Sequence, residues 1–223
     1  MTVSAAAPQQ IGSALGVTTQ EAAWLTELSA KLINRTIDRG ELTRVAARRP
    51  LGRDRRLVAS DVVYLALRRE LSALLSQQAR AELYRQLELN SEIYFQLLQS
   101  NGKGPDLEAL TPDQVSSLRV SLAGGTIRIE LRDTIRRLAR RWWALRDASQ
   151  HVVSDPEIRG GEPVIRNTRV PVYLIADLRQ QGASVKEILH DYPSLDTSMV
   201  RSAIAYADTH PKRGRRRSAP WKE

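Results

Sequence analysis

The chain has 223 residues, 42% of them hydrophobic, no cysteine, three histidines, and 34 Lys and Arg against 25 Asp and Glu, for a formal net charge of +9. That composition excludes a wholly disordered chain, disulfides, thiolate metal sites and a cysteine nucleophile, and the scattered His151, His190 and His210 lack the spacing of a zinc hydrolase. No run approaches the ~18 apolar residues of a membrane span, and the first basic residue is Lys31, so no signal peptide is expected and a cytoplasmic protein is. The excess charge points to a polyanionic partner. It is concentrated in residues 35–56, 132–146 and 210–223, where Arg outnumbers Lys. The guanidinium fork suits phosphate and carboxylate.

Residues 1–13 are small and polar and read as a flexible arm. Thr18 and Glu21 form a capping box for a short helix to Leu25, and a turn at Thr26-Glu27-Leu28 leads to Ser29, a good N-cap. The second helix ends at Gly40. Ile33 and Ile37 share its inner face, which turns Lys31, Asn34, Arg35 and Asp38 outward. Residues 42–47 and 56–58 read as strands around a basic turn at 48–55, so a wing follows the helix-turn-helix. Ser60 and Asp61 open a long helix that runs on through Leu71, Leu74 and Leu75. Residues 17–67, through ThrThrGlnGluAlaAla, LeuSerAlaLysLeuIleAsnArgThrIleAspArgGlyGluLeu and ArgArgLeuValAlaSerAspValValTyrLeu, resemble the winged helix-turn-helix of MerR-like and excisionase-like DNA-binding proteins. A DNA interface is then expected at Lys31, Asn34 and Arg35, with Arg48, Arg49, Arg53, Arg55 and Arg56 on the wing.

Residues 76–101 read as helical, 115–122 and 126–131 as a β-hairpin around Ala123-Gly124-Gly125, and 132–148 as a helix. The Leu-rich segment 71–98 and the short strands within 151–172 are expected to contribute apolar surface to a homodimer. Short apolar segments at 152–153, 164–165 and 170–172 precede helices at 173–181, 185–191 (capped by Ser184 with Glu187) and 197–209. In this stretch SerAspProGluIle, GlyGlyGluProValIle, AsnThrArgValProVal, GluIleLeu, AspTyrPro and AlaIleAlaTyrAla follow in fixed order. The stretch closely resembles the small trihelical, homeodomain-like antitoxin domain catalogued as domain of unknown function 433. That family usually has Gly where this chain has Asn167; Asn tolerates a left-handed backbone, so the turn is expected to survive.

The fold expected is mostly α: a flexible arm (1–13), a winged helix-turn-helix (14–75), a helical and hairpin connector (76–149), a trihelical domain (150–210) and a basic tail (211–223). The resemblance implies an antitoxin related to the VapB type, paired with a PIN-type ribonuclease toxin and binding its own operator DNA. The tail offers Arg213, Arg215, Arg216 and Arg217 for the carboxylates of such a toxin, and Trp221 as an apolar anchor. The alternative is a stand-alone transcriptional regulator with a C-terminal dimerisation domain. An RNA-processing enzyme is the weakest reading. No GxSxG, P-loop or dinucleotide turn is present and the carboxylates are scattered, so no catalytic residue, metal site or cofactor is expected.

Overall fold

The computed structural model describes residues 16–42, 55–99, 105–106 and 109–212. The chain is mostly α-helical, with two small two-stranded sheets among the described residues, which is the expected class. It divides into two units, Met1–Trp143 and Ala144–Glu223.

In the first unit α1 (Thr19–Thr26) carries the expected capping box, Thr18 N–H donating to Glu21 Oε2 at 2.6 Å and Glu21 N–H to Thr18 Oγ1 at 3.2 Å. α2 (Ala30–Asp38) starts at Ser29, whose hydroxyl accepts the Leu32 N–H at 3.2 Å. Its last turn closes as a Schellman motif: Gly40, at φ +73, donates to the Ile37 carbonyl at 2.9 Å and Glu41 to that of Thr36 at 3.2 Å. The chain returns to the sheet position beside Val17, where Val17 and Leu57 exchange backbone hydrogen bonds of 3.1 and 2.8 Å. The strand read at 42–47 lies, from residue 43 on, outside the described residues.

α3 (Ala59–Leu71) is the axle of this unit. Residues 59–67 are all buried, because α1, α4 (Gln77–Leu89) and α5 (Ser91–Gln99) pack around it. A helix enclosed on every side needs no polar face. It ends at Leu71 rather than running on, and Leu74 is left 75% exposed. The helical run read at 76–101 is two helices, broken at Asn90, whose carbonyl accepts the Tyr94 N–H at 3.1 Å and so starts α5. Leu75, Leu83, Leu87, Leu97 and Leu98, expected to offer dimer surface, are buried within the single chain.

The strand read from Val115 begins four residues later. Thr111, Gln114 and Pro112 supply a capping box and a proline at the first helical position, so residues 112–117 form α6 (Pro112–Ser117) instead. β1 (Arg119–Leu122) then pairs antiparallel with β2 (Ile127–Glu130), Arg119 opposite Glu130 and Leu122 opposite Ile127. α7 (Arg132–His151) follows, its residues to Trp143 belonging to the first unit and the remainder to the second.

In the second unit β3 (Val152–Val153) pairs antiparallel with β4 (Val164–Ile165). Three helices follow: α8 (Val172–Gln180), α9 (Val185–Asp191) and α10 (Thr197–Thr209). Their core is Val152, Ile165, Val172, Ile175, Ile188, Leu195, Val200 and Ala203. The strand residues expected at a dimer face are therefore spent on this core as well. Asn167 stands at φ +61 in the turn that Thr168 N–H closes on the Ile165 carbonyl at 3.0 Å. A β-carbon costs about 1–2 kcal/mol in this conformation unless a short polar side chain compensates. Asn167→Ala should lower the urea midpoint of the second unit by the equivalent of about 1 kcal/mol, while Asn167→Gly, which has no β-carbon to clash, should hold it.

Candidate nucleic-acid interface

α2 is amphipathic in the register expected. Ile33, Thr36 and Ile37 are buried; Lys31, Arg35 and Arg39 are exposed; Asn34 is half-buried. Among the described residues Lys31, Arg35 and Arg39 make no ion pair. Their charge is therefore available to phosphate or a base edge.

Arg55 braces this face. Its guanidinium donates to Asn34 Oδ1 at 3.1 Å and to Asp38 Oδ1 at 2.7 Å. Asn34 and Asp38 are four apart and stack on one side of α2, so a single planar fork reaches both. Arg55 thus positions Asn34, a pairing across 21 residues that the sequence pattern does not reveal. Arg56 donates to the Gly16 carbonyl at 2.8 Å and holds the chain where Val17 meets Leu57. Arg48, Arg49 and Arg53 lie outside the described residues.

Two ion-pair clusters fix α2 from behind. Glu41, just past the Schellman turn, accepts Arg68 Nε at 3.0 Å and Nη2 at 3.2 Å, and the Tyr64 hydroxyl at 3.2 Å. Burial pushes the Glu41 carboxyl up, but the Arg68 guanidinium more than offsets it and leaves Glu41 below the usual carboxylate range. A depressed folded pKa stabilises above the unfolded value and is lost as pH falls through the folded one. Glu41→Gln should therefore cost about 1 kcal/mol above pH ~5, with the difference from the parent closing as the pH is lowered further, in unfolding curves taken across that range. The second cluster centres on Glu27, at φ +58 in the turn between α1 and α2. Arg69 pairs with it at 2.6 Å and Arg141 pairs with it too; Arg141 also donates to the Trp24 carbonyl and lies 4.5 Å over the Trp24 ring. The Arg69 hydrogen bond, then the Arg141 charge, hold the Glu27 carboxyl below its usual range.

That pairing changes the meaning of the Arg-rich helix. Residues 132–146 read as one basic surface, but Arg136 pairs with Asp133 at 3.3 Å, Arg137 with Glu70 at 2.8 Å, and Arg141 with Glu27. Half of the cluster is structural.

The second unit presents a different surface. α10 exposes Arg201 beside Asp196 and Asp208, and Asp196 caps its own helix through the Met199 N–H at 2.8 Å. Near the start of the tail, Lys212 sits 5.0 Å over the Tyr173 ring and 3.7 Å from Asp177. Tyr173 donates to the His210 carbonyl at 2.8 Å, and His210 stacks on Tyr206 at 4.2 Å. Arg213, Arg215, Arg216, Arg217 and Trp221 lie outside the described residues.

Ser202, His151 and Asp147 meet, yet not as a nucleophile triad. Ser202 Oγ and Asp147 Oδ2 approach the same ring nitrogen, Nδ1, at 3.4 and 3.5 Å, whereas a triad uses both nitrogens. Ser202 is also 3% exposed. Among the described residues no three His, Asp or Glu side chains cluster as a metal site, and no helix is long and apolar enough to cross a membrane.

No solved structure matches the chain. It is similar to an uncharacterized protein, y4eO, of Sinorhizobium fredii (strain NBRC 101917 / NGR234), with 45% identity over 89 residues. The match covers 40% of this chain and 40% of that relative, so the chain spans about two fifths of its length. Residues 152–207, which are β3 through most of α10, match the family described as a protein of unknown function, DUF433.

Proposed function

We propose that this chain is the antitoxin of a type II toxin–antitoxin pair, a cytoplasmic homodimer that represses its own operator and neutralises a PIN-type ribonuclease. The carrying observation is the outer face of α2. Lys31 and Arg35 stand exposed and unpaired among the described residues, with Asn34 steered by Arg55 beside them. Such a helix, capped at both ends and locked by Glu27 and Glu41, suits a major-groove reader. The second unit carries the DUF433 match, and the antitoxin reading rests on the resemblance of that domain. Its nearly neutral α10 suits protein contact better than phosphate. In this reading the chain acts by binding, without cofactor or metal.

The tail supplies the toxin contact in this reading, with Arg213, Arg215, Arg216 and Arg217 forking onto the metal-binding carboxylates and Trp221 filling an apolar pocket. Growth arrest by the PIN-type gene of the neighbouring reading frame should be relieved by the full chain. It should return when residues 211–223 are deleted, with operator binding at moderate salt retained. Light scattering of the full chain should give a dimer mass. A chain that binds the upstream DNA yet never relieves the arrest is a stand-alone regulator.

A further inference from the structure

A cleft of about 610 Å³ opens in the first unit behind α2. One wall is a single face of α4: Gln77, Arg80, Ala81, Tyr84, Arg85 and Glu88 recur at the three- and four-residue spacing of one helical side. The opposite wall is the Arg39-Gly40-Glu41 corner that ends α2, and Tyr64 lies at the base. The volume is that of small-molecule sites, which run about 300–1,000 Å³.

The described lining carries Arg39, Arg80 and Arg85 against Glu41 and Glu88, a net positive charge. Glu41 is spent on Arg68, and Arg85 on Glu82, which it holds bidentately at 2.8 and 3.0 Å. Arg39 makes no ion pair among the described residues, and Arg80 donates to the carbonyls of Ser72 and Leu75, both through Nη1, while its charge also acts on Glu41. Neither guanidinium has a carboxylate in ion-pair contact among the described residues. Between them the surface is small and apolar: Ala81, the side-chain-free Gly40 with nothing within 4 Å of its missing β-carbon, and the Tyr64–Tyr84 pair packed edge to face at 5.3 Å. The phenol of Tyr64 is pushed up to about 12, by burial first and then by Glu41, so it stays neutral and presents no competing charge.

We infer that this cleft binds a small organic anion with a flat apolar body, an aryl carboxylate or aryl phosphate, gripped between Arg39 and Arg80 and seated against Ala81 and Gly40. Arg39 is the C-cap of α2, so the bound anion ties the end of the operator-facing helix to α4.

Benzoate and phenyl phosphate are suitable probes for the full chain, followed by the Arg side-chain Nε–H signals in an NMR titration without DNA. A ligand of this size should saturate with a Kd of roughly 1 mM, moving the Arg39 and Arg80 signals together. Arg39→Ala should weaken binding about tenfold, as loss of one charge-assisted hydrogen bond does. Ala81→Trp, which fills the cleft from an exposed helix position, should abolish it, and Arg128→Ala on β2 should leave it unchanged. Sulfate should bind at least tenfold more weakly than benzoate. No saturable binding of either probe, equal binding of sulfate, or full binding by Ala81→Trp overturns the assignment. Since no DNA is present, a failed operator assay leaves these results intact.

Discussion

Asp61→Ala should destabilise the first unit by about 3–5 kcal/mol. Asp61 is completely buried. One carboxylate oxygen accepts the Val58 N–H at 2.8 Å and caps α3; the other accepts the Tyr84 hydroxyl, also at 2.8 Å, and fastens α4 to α3. Alanine leaves a backbone N–H and a phenol without acceptors where water does not reach, at about 1–3 kcal/mol each, and the first of these is the bond that caps α3. Tyr84→Phe should cost less, about 1–2 kcal/mol, because Asp61 keeps Val58. The double mutant should cost less than the sum of the two, since both remove the same bond. Urea unfolding followed by tryptophan fluorescence measures all three. A cost below about 1 kcal/mol for Asp61→Ala would mean the buried carboxyl is not the fastening.

The signals that the sequence made legible are short-range and chemical. Thr18 with Glu21, Ser29, Gly40, and Ser184 with Glu187 each mark a helix end by donors and acceptors within a few residues, and each stands where it was read. The 3.6-residue register of α2 likewise turned Lys31 and Arg35 outward, and Asn167 took the left-handed turn. Elsewhere two local signals compete. Val115 to Leu122 reads as the hairpin partner of the alternating segment 126–131, but Thr111, Pro112 and Gln114 start a helix first. Leu74 and Leu75 continue the apolar run of α3, yet the helix ends at Leu71 and only Leu75 is buried. Partners distant along the chain left no trace at all. Tyr84 meets Asp61 across 23 residues, Arg55 meets Asn34 across 21, and Arg141 meets Glu27 across 114. Composition alone shows a run of Arg on α7 as one charge block, and cannot show that Arg137 and Arg141 are answered by carboxylates on α3 and in the α1–α2 turn.

Those distant partners decide how the α2 face should respond to mutation. Arg35 is exposed, so replacing it leaves the fold intact and removes only the contact proposed for it. Arg35→Ala should cost operator affinity about 1–3 kcal/mol and relax specificity at one base pair if it reads a base, or lower the salt slope by about one if it holds a phosphate. Arg35→Glu adds repulsion from the phosphates and should lose at least another tenfold. Arg55→Ala works differently. It frees the Asn34 amide to rotate and leaves the Asp38 carboxylate unanswered on the outer face of α2. Binding should fall about tenfold, the scale of one lost charge-assisted hydrogen bond. Adding Asp38→Ala should then recover much of the loss, because the unanswered negative charge is gone. Arg35→Ala should gain far less from the same addition, since no hydrogen bond joins Arg35 to Asp38. Gel shifts of the full chain on its upstream DNA, run at two salt concentrations, separate these outcomes. Unchanged affinity in Arg35→Glu would show that α2 does not face the operator; equal rescue of both Arg variants by Asp38→Ala would show that Arg55 acts through bulk charge and not by orienting Asn34.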